Sequence, residues 1–243
     1  MDSTVMWGRR TASGLEFVET STSSTRRARV AIRSPEPDGQ RRTEDTVRKI
    51  VVNEWMTLDG VVQAPGSAEE DPTGGFGHGG WHLPNFDERS RRWVIDNISA
   101  AGGFLLSRRT YDILAAYWPT APRAERELAD PLNHRPKYVA SRTRTQRLDW
   151  HNSRLIEGDI AKAVSAMKEA GAGDLHVIGS PHLVHTLLAH ELVDEFRLMI
   201  DPLMLGAGKR LFPDDGTPRS LRLHEFEVTA TGAVLATYAV AVA

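Results

Sequence analysis

The sequence predicts an α/β protein: a three-layer α/β/α domain around a mixed, mostly parallel sheet that ends in antiparallel carboxy-terminal strands. Three observations lead there. From Lys49 onward, short apolar runs rich in β-branched residues alternate with helical segments, the order of strand–helix–strand units. Ile160, Ala163, Val164, Met167 and Ala170 repeat at helical spacing and stop at Gly171. After Glu195 only extended segments follow, closing in two runs at 221–229 and 233–242 across Ala230-Thr231-Gly232.

In chain order, Ile50-Val51-Val52 opens a strand that runs to Met56 and meets a turn at Leu58-Asp59-Gly60. Residues 64–84 carry six glycines and three prolines, the composition of a long binding loop. A helix is expected over 85–101, closed by Gly102-Gly103. A strand at Phe104-Leu105-Leu106 precedes a helix over 109–117, which stops at Trp118-Pro119. The polar, proline-bearing stretch after it reads as irregular. Strands follow at 137–141 and 153–156, the amphipathic helix at 160–170, and a strand at 174–178. Gly179-Ser180-Pro181 opens a helix to about His190, with Pro181 suited to its first turn. Residues 195–205 are extended.

Composition sets bounds. The 243 residues are 40% hydrophobic and 26% charged, with a net charge of −2, ordinary for a globular protein and without the excess of a nucleic-acid binder. No cysteine is present. That excludes a disulfide scaffold, a thiol nucleophile and a Cys-ligated metal, and it fits a cytoplasmic protein. The longest apolar run, at 232–243, is broken by Thr237 and falls short of the ~20 residues of a membrane helix, so no membrane association is expected. Residues 1–48 differ from the rest. They are rich in Ser, Thr and Arg, lack apolar periodicity, and read as a disordered or loosely packed extension with a short strand at 15–18. Their mixed charge weakens the alternative of a basic arm for nucleic acid. The folded domain is expected over 49–243.

Common catalytic motifs are missing. Gly75-Phe76-Gly77-His78-Gly79-Gly80 neither follows directly from a strand nor opens directly into a helix, so it is no dinucleotide fingerprint. There is no Walker A loop and no Gly-x-Ser-x-Gly elbow. His78 and His82 lie in a glycine loop, and His182, His185 and His190 read as surface histidines; no metal site is expected.

Four ordered segments do carry a pattern: 55–62 (Trp-Met-Thr-Leu-Asp-Gly-Val-Val), 105–111 (Leu-Leu-Ser-Arg-Arg-Thr-Tyr), 175–180 (Leu-His-Val-Ile-Gly-Ser) and 194–208, ending Leu-Gly-Ala-Gly. Together they resemble the dihydrofolate reductase-like superfamily, and more closely its branch typified by the C-terminal reductase domain of the bifunctional riboflavin-biosynthesis deaminase-reductase. The resemblance spans the whole predicted domain. It implies a dihydrofolate reductase-like fold, NADPH as cofactor, a small-molecule substrate and a homodimer. No deaminase domain is expected within these residues, because the zinc deaminase signature needs cysteines.

The resemblance also implies site residues. Ser107, Arg108, Arg109 and Thr110 sit at a strand-to-helix junction, where free backbone N–H groups and the helix dipole favour phosphate. Ser141 and Arg142 would face the adenosine end. Gly179 and Ser180 would approach the pyrophosphate, and Ser180 also fits a helix N-cap. Asp59 would be the catalytic carboxylate, with Gly60 and Val61 beside the cofactor. Glu54, Trp81 and Asp87 would meet the substrate, although Asp87 also suits a helix cap.

The expected activity is hydride transfer from NADPH to a C=N or C=O carbon of a small heterocyclic or ribosylaminopyrimidine-type compound. The nearest specific reaction is the ribosylaminopyrimidine phosphate reduction of riboflavin biosynthesis. The alternative is a non-catalytic nucleotide or small-ligand binder on the same fold, since fold does not fix function.

Overall fold

The structure, a computed structural model, describes residues 7–11, 14–18, 47–143 and 148–241. Contacts divide the chain into Met1–Arg42 and Thr43–Ala243. In the first unit β1 (Trp7–Thr11) and β2 (Gly14–Val18) pair antiparallel, Trp7 opposite Val18. The strand expected at 15–18 lies within β2. Arg9 and Arg10 interrupt any apolar alternation in β1, so its sequence gives no signal. The expectation of a loose 1–48 segment falls largely on residues outside the described ones.

The second unit contains β3 (Ile50–Thr57), α1 (Glu88–Ala100), β4 (Gly103–Ser107), α2 (Arg108–Tyr117), α3 (Arg126–His134), β5 (Lys137–Ala140) and β6 (Ser153–Leu155). It continues through α4 (Ile160–Glu169), β7 (Leu175–Ile178), α5 (Pro181–Ala189), β8 (Glu195–Asp201), β9 (Leu221–Val228) and β10 (Val234–Val240). The strands form one sheet in the order β6-β5-β4-β7-β3-β8-β10-β9. Pairing is parallel from β6 through β8. It turns antiparallel at β10 and β9. This is the expected mixed α/β sheet.

Alternation along each strand divides the core between two helical layers. Ile50 and Val52 of β3 and Leu105 of β4 pack with Val164 of α4 and Leu183, Val184 and Leu187 of α5. On the other face Phe104 and Leu106 meet Ile98 of α1, Tyr111 of α2 and Leu132 of α3. Each such fully buried aliphatic side chain contributes roughly 1.5–3 kcal/mol. The ends of the parallel strands are therefore held from both sides.

Three elements depart from expectation. Residues 126–134, read as irregular, form α3 despite Pro131 inside it. The buried Lys137 ammonium supports its carbonyl end, donating to Leu132 O, Asn133 O and Arg135 O at 2.7–3.1 Å. α1 begins at Glu88 rather than 85, because the Asp87 side chain accepts from Ser90 N and sets the cap there. β8 stops at Asp201 rather than 205. Among the described residues, no helix is long and apolar enough to cross a membrane.

Candidate functional site

The carboxyl ends of β3, β4, β5 and β7 open into one cleft of about 1230 Å³. Ligands of parallel α/β sheets commonly bind at such ends, where helix N-termini converge. Ser107 follows β4 as the N-cap of α2, its Oγ accepting from Thr110 N and lying 3.0 Å from Thr110 Oγ1. Ser180 follows β7 as the N-cap of α5, with Pro181 at the first turn.

Gly179 joins these two helix starts. Its φ is +51°, a left-handed value that disfavours any side chain, and the Gly179–Ser180 peptide is cis. A Cβ there would lie 3.0 Å from Thr110 Oγ1 and 3.8 Å from Glu54 Oε1. Glycine is thus required both by the backbone and by the close approach of α2.

Glu54 forms the floor of this corner. It shares a face of β3 with Val52 and Met56, so its carboxyl emerges where an apolar layer ends. Burial pushes its pKa from the ordinary 4.5 up to about 8; the Gly179 backbone opposes the rise, and nearby Glu70 adds to it. Its Oε1 is buried and has no hydrogen-bond partner.

The opposite face of β3 builds an aromatic wall. Trp55 stacks on His82 at 4.8 Å, and His82 Nδ1 lies 2.9 Å from Asp201 Oδ2. Trp93 and Phe86 line the same side of the cleft. Two amides sit in this wall with their orientations set by neighbours. Asn53 Nδ2 donates to Val51 O and toward His176 Nδ1, both at 3.2 Å. Burial, with Arg197 nearby, lowers the His176 pKa to about 4, so at neutral pH the ring is uncharged and can accept. Asn53 Oδ1 is left without a partner. Asn97 Oδ1 accepts from Arg197 Nη1 at 2.8 Å, leaving Asn97 Nδ2 unpartnered. A buried acceptor and a buried donor thus lie on two residues that line one cleft, each costly while unpartnered.

The cations at the cleft are partly engaged. Arg108 Nη1 lies 3.1 Å from Asp112 Oδ2. Arg109 and Lys209 both reach Asp71, at 3.0 and 2.5 Å. Burial would raise the Asp71 carboxyl, but bonds from Lys209 and Thr73 outweigh it and hold it below its usual range.

Among the residues expected at the site, Glu54, Ser107, Arg108, Arg109, Thr110, Ser141, Arg142, Gly179 and Ser180 line the cleft. Asp59, Gly60, Val61, Trp81 and Asp87 do not. Asp59 closes a turn: it accepts from Thr57 Oγ1 at 2.6 Å and from the N–H groups of Leu205 and Gly206. The Thr57 bond is the main reason its pKa is lowered, and burial only partly offsets it. Val61 is fully buried, and Gly60 shapes the turn. Trp81 is buried, its Nε1 donating to Gln63 O at 2.7 Å. Asp87 caps α1 and accepts from Ala230 N. Asn53, Trp55, Asn97, Asp71 and Lys209 line the cleft without having been expected there. Asn53 in an apolar strand and Asn97 on the Trp93–Val94–Ile98 stripe were the available signals.

Comparison with known proteins agrees with this architecture. The uncharacterized protein YyaP of Bacillus subtilis (strain 168) is 28% identical over 197 residues, covering 79% of this chain and 94% of that one. A putative riboflavin biosynthesis protein from Shewanella sp. PV-4 superposes with a TM-score of 0.60 at 17% identity, covering 79% of this chain and 99% of its own. Dihydrofolate reductase from Enterococcus faecalis, complexed with NADP(H), superposes with a TM-score of 0.51 at 14% identity, covering 79% and 96%. The dihydrofolate reductase-like fold is therefore shared. The sequence model of the RibD C-terminal domain matches residues 48–235, from the start of β3 into β10, and the chain belongs to that family.

Proposed function

We propose that this chain is an NADPH-dependent reductase in which Glu54 delivers the proton that accompanies hydride transfer. The observation that carries this reading is Glu54 itself: a carboxyl at the cleft floor, raised to about 8 and with a free oxygen, is protonated near neutrality and can donate. Family membership and the likeness to an NADP(H)-bound reductase support the cofactor.

The residues present suit a dinucleotide. Gly179 keeps its corner clear of any side chain, and the first-turn N–H groups of α2 lack intrahelical acceptors by position. Arg108, Arg109 and Arg142 line the cleft and supply positive charge. NADPH bound there would supply hydride, and the rest of the work falls to the protein. Ser107, Thr110 and the α2 N-terminus hold phosphate. Trp55, Trp93 and Phe86 exclude water and present flat surfaces to a planar heterocycle. Asn53 Oδ1 and Asn97 Nδ2 orient that ring by accepting from and donating to its edge. The substrate in this reading is a small heterocyclic or ribosylaminopyrimidine-type compound with a reducible C=N or C=O carbon. We place the protein in the cytoplasm.

Calorimetric titration with NADPH tests the cofactor, and NADPH oxidation with ribosylaminopyrimidine phosphate and dihydrofolate tests the chemistry. Saturable micromolar NADPH binding is expected, with turnover on at least one compound. Absence of NADPH binding to folded protein would overturn the reading.

A further inference from the structure

Part of the cleft is lined by three helices. Val94 and Ile98 of α1, Leu114 of α2, Trp118 directly after α2, and Leu128 and Leu132 of α3 all line it. The same six side chains pack as one apolar cluster, so they form a single lobe. Val94 and Ile98 stand one turn apart on α1, as do Leu128 and Leu132 on α3, and each helix thus turns one stripe toward the lobe. Ile98 and Leu132 are buried, whereas Val94, Leu114, Trp118 and Leu128 are only half-buried. Apolar surface left in contact with water inside a concave site is unfavourable, and a bound apolar group removes that cost.

The charges of these helices are spent on one another. Glu127 of α3 is shared by Arg91 and Arg92 of α1, at 3.1 and 3.7 Å, and Arg126 pairs with Asp130. Among the described residues, no charged side chain of α1 or α3 lines the cleft. The cleft's Arg108 and Arg109 sit in the first turn of α2, and Arg142 and Lys209 belong to loops. Leu114 lies about 9 Å along the α2 axis from Arg108, and Trp118 about one turn further. A phosphate in the lobe would give up its hydration with no cation to replace it, a cost that an apolar group does not bear. The lobe is also preformed. Asn133 Nδ2 donates to Trp118 O at 3.0 Å while Asn133 Oδ1 accepts from Trp150 Nε1 at 2.7 Å, so one amide with both ends used ties Trp118 to α3.

We infer that this lobe takes an apolar tail of the substrate, so that the compound reduced is a neutral heterocycle bearing an alkyl or aryl group rather than a sugar phosphate. Asn97 lies on α1 between Val94 and Ile98 and also lines the cleft, which places the heterocycle's polar edge beside the start of the lobe. The inference rests on the reductase reading for the reaction itself. The chemistry of the lobe is read from binding alone, so the two can fail separately.

Displacement of the neutral fluorophore N-phenyl-1-naphthylamine from the full chain, without cofactor, tests the inference. The competitors are 6-methyluracil, 6-butyluracil and uridine 5′-monophosphate. Each buried methylene tightens binding about fourfold, so 6-butyluracil should compete at least tenfold better than 6-methyluracil, and uridine 5′-monophosphate worse than either. Leu114→Gln and Leu128→Gln each place an amide in the lobe. In either variant the advantage of the butyl tail should fall below threefold, with circular dichroism and melting confirming the fold. An alkyl series without a trend in wild type, displacement by uridine 5′-monophosphate as strong as by 6-butyluracil, or an undiminished tail advantage in a folded variant would overturn the inference. A chain that shows the tail advantage but binds no NADPH loses the reductase reading and keeps the lobe. One that binds NADPH and shows no tail advantage loses the lobe alone.

Discussion

Two carboxylates stand five residues apart on the first core strand and its turn, and their surroundings make them opposites. Asp59 is served by a threonine hydroxyl, two backbone N–H groups and Arg210, and stays ionised. Glu54 is held in an apolar corner with a free oxygen and keeps its proton to about pH 8. The conspicuous Asp-Gly dipeptide marks a turn, while the inconspicuous glutamate inside a strand carries the perturbed chemistry. What separates them is not residue type but surroundings: burial raises Glu54, and the hydrogen bond from Thr57 lowers Asp59.

The sharpest break of this contrast is Glu54→Gln. Turnover should fall ~100-fold or more, the scale of a lost general acid, with NADPH affinity retained. In the wild type, kcat should decline as pH rises through about 8, and the variant should lose that limb. The linkage sign is fixed as well. A carboxyl raised from 4.5 to about 8 binds more protons folded than unfolded between those values, so its burial lowers stability as pH rises. Glu54→Gln should therefore be more stable than wild type at pH 8, by up to about 4 kcal/mol, and the gap should close below pH 4.5. A melting difference unchanged with pH would count against the buried acid.

Gly179→Ala tests the corner that holds Glu54. The φ of +51° and the 3.0 Å approach to Thr110 should together cost about 1–3 kcal/mol of stability, with weaker NADPH binding in titrations. If it binds and melts as wild type, the corner has slack that the geometry denies.

Asp59→Asn examines the other carboxylate. It gives up the ion pair with Arg210 and one acceptor in a solvent-accessible turn, a loss of about 0.5–1 kcal/mol in denaturant unfolding. Turnover should stay within a few-fold of wild type. A collapse of kcat without loss of stability would move the proton source back to the turn. Arg108→Ala is expected to act on cofactor binding alone. Its guanidinium is exposed and already shared with Asp112, so NADPH affinity should weaken by no more than about tenfold, and less at high salt.

The fold was largely legible because its strands are short apolar runs and its helices keep a clear period, as at 160–170. α3 escaped because Pro131 and a polar sequence conceal it, and its support comes from Lys137, outside the helix. Strand-end residues such as Ser107, Thr110 and Gly179 could be placed in the cleft, since motif and topology put them there together. The state of Glu54 could not, because burial creates it, with Glu70 adding to the rise and the Gly179 backbone opposing it. Nor could the free donor of Asn97, which exists only because Arg197, a hundred positions away, takes its oxygen.

One buried amide ties two parts of the cleft's rim together. Gln63 Nε2 donates to the carbonyls of Asp71 and Thr73, both at 2.9 Å, while its Oε1 accepts from Lys209 N at 3.0 Å. Both ends of the amide are spent, and they rivet the glycine-rich segment to a strand-end loop more than a hundred residues away. The two stretches of the cleft rim that carry Asp71 and Lys209 are thereby fastened to each other through one side chain.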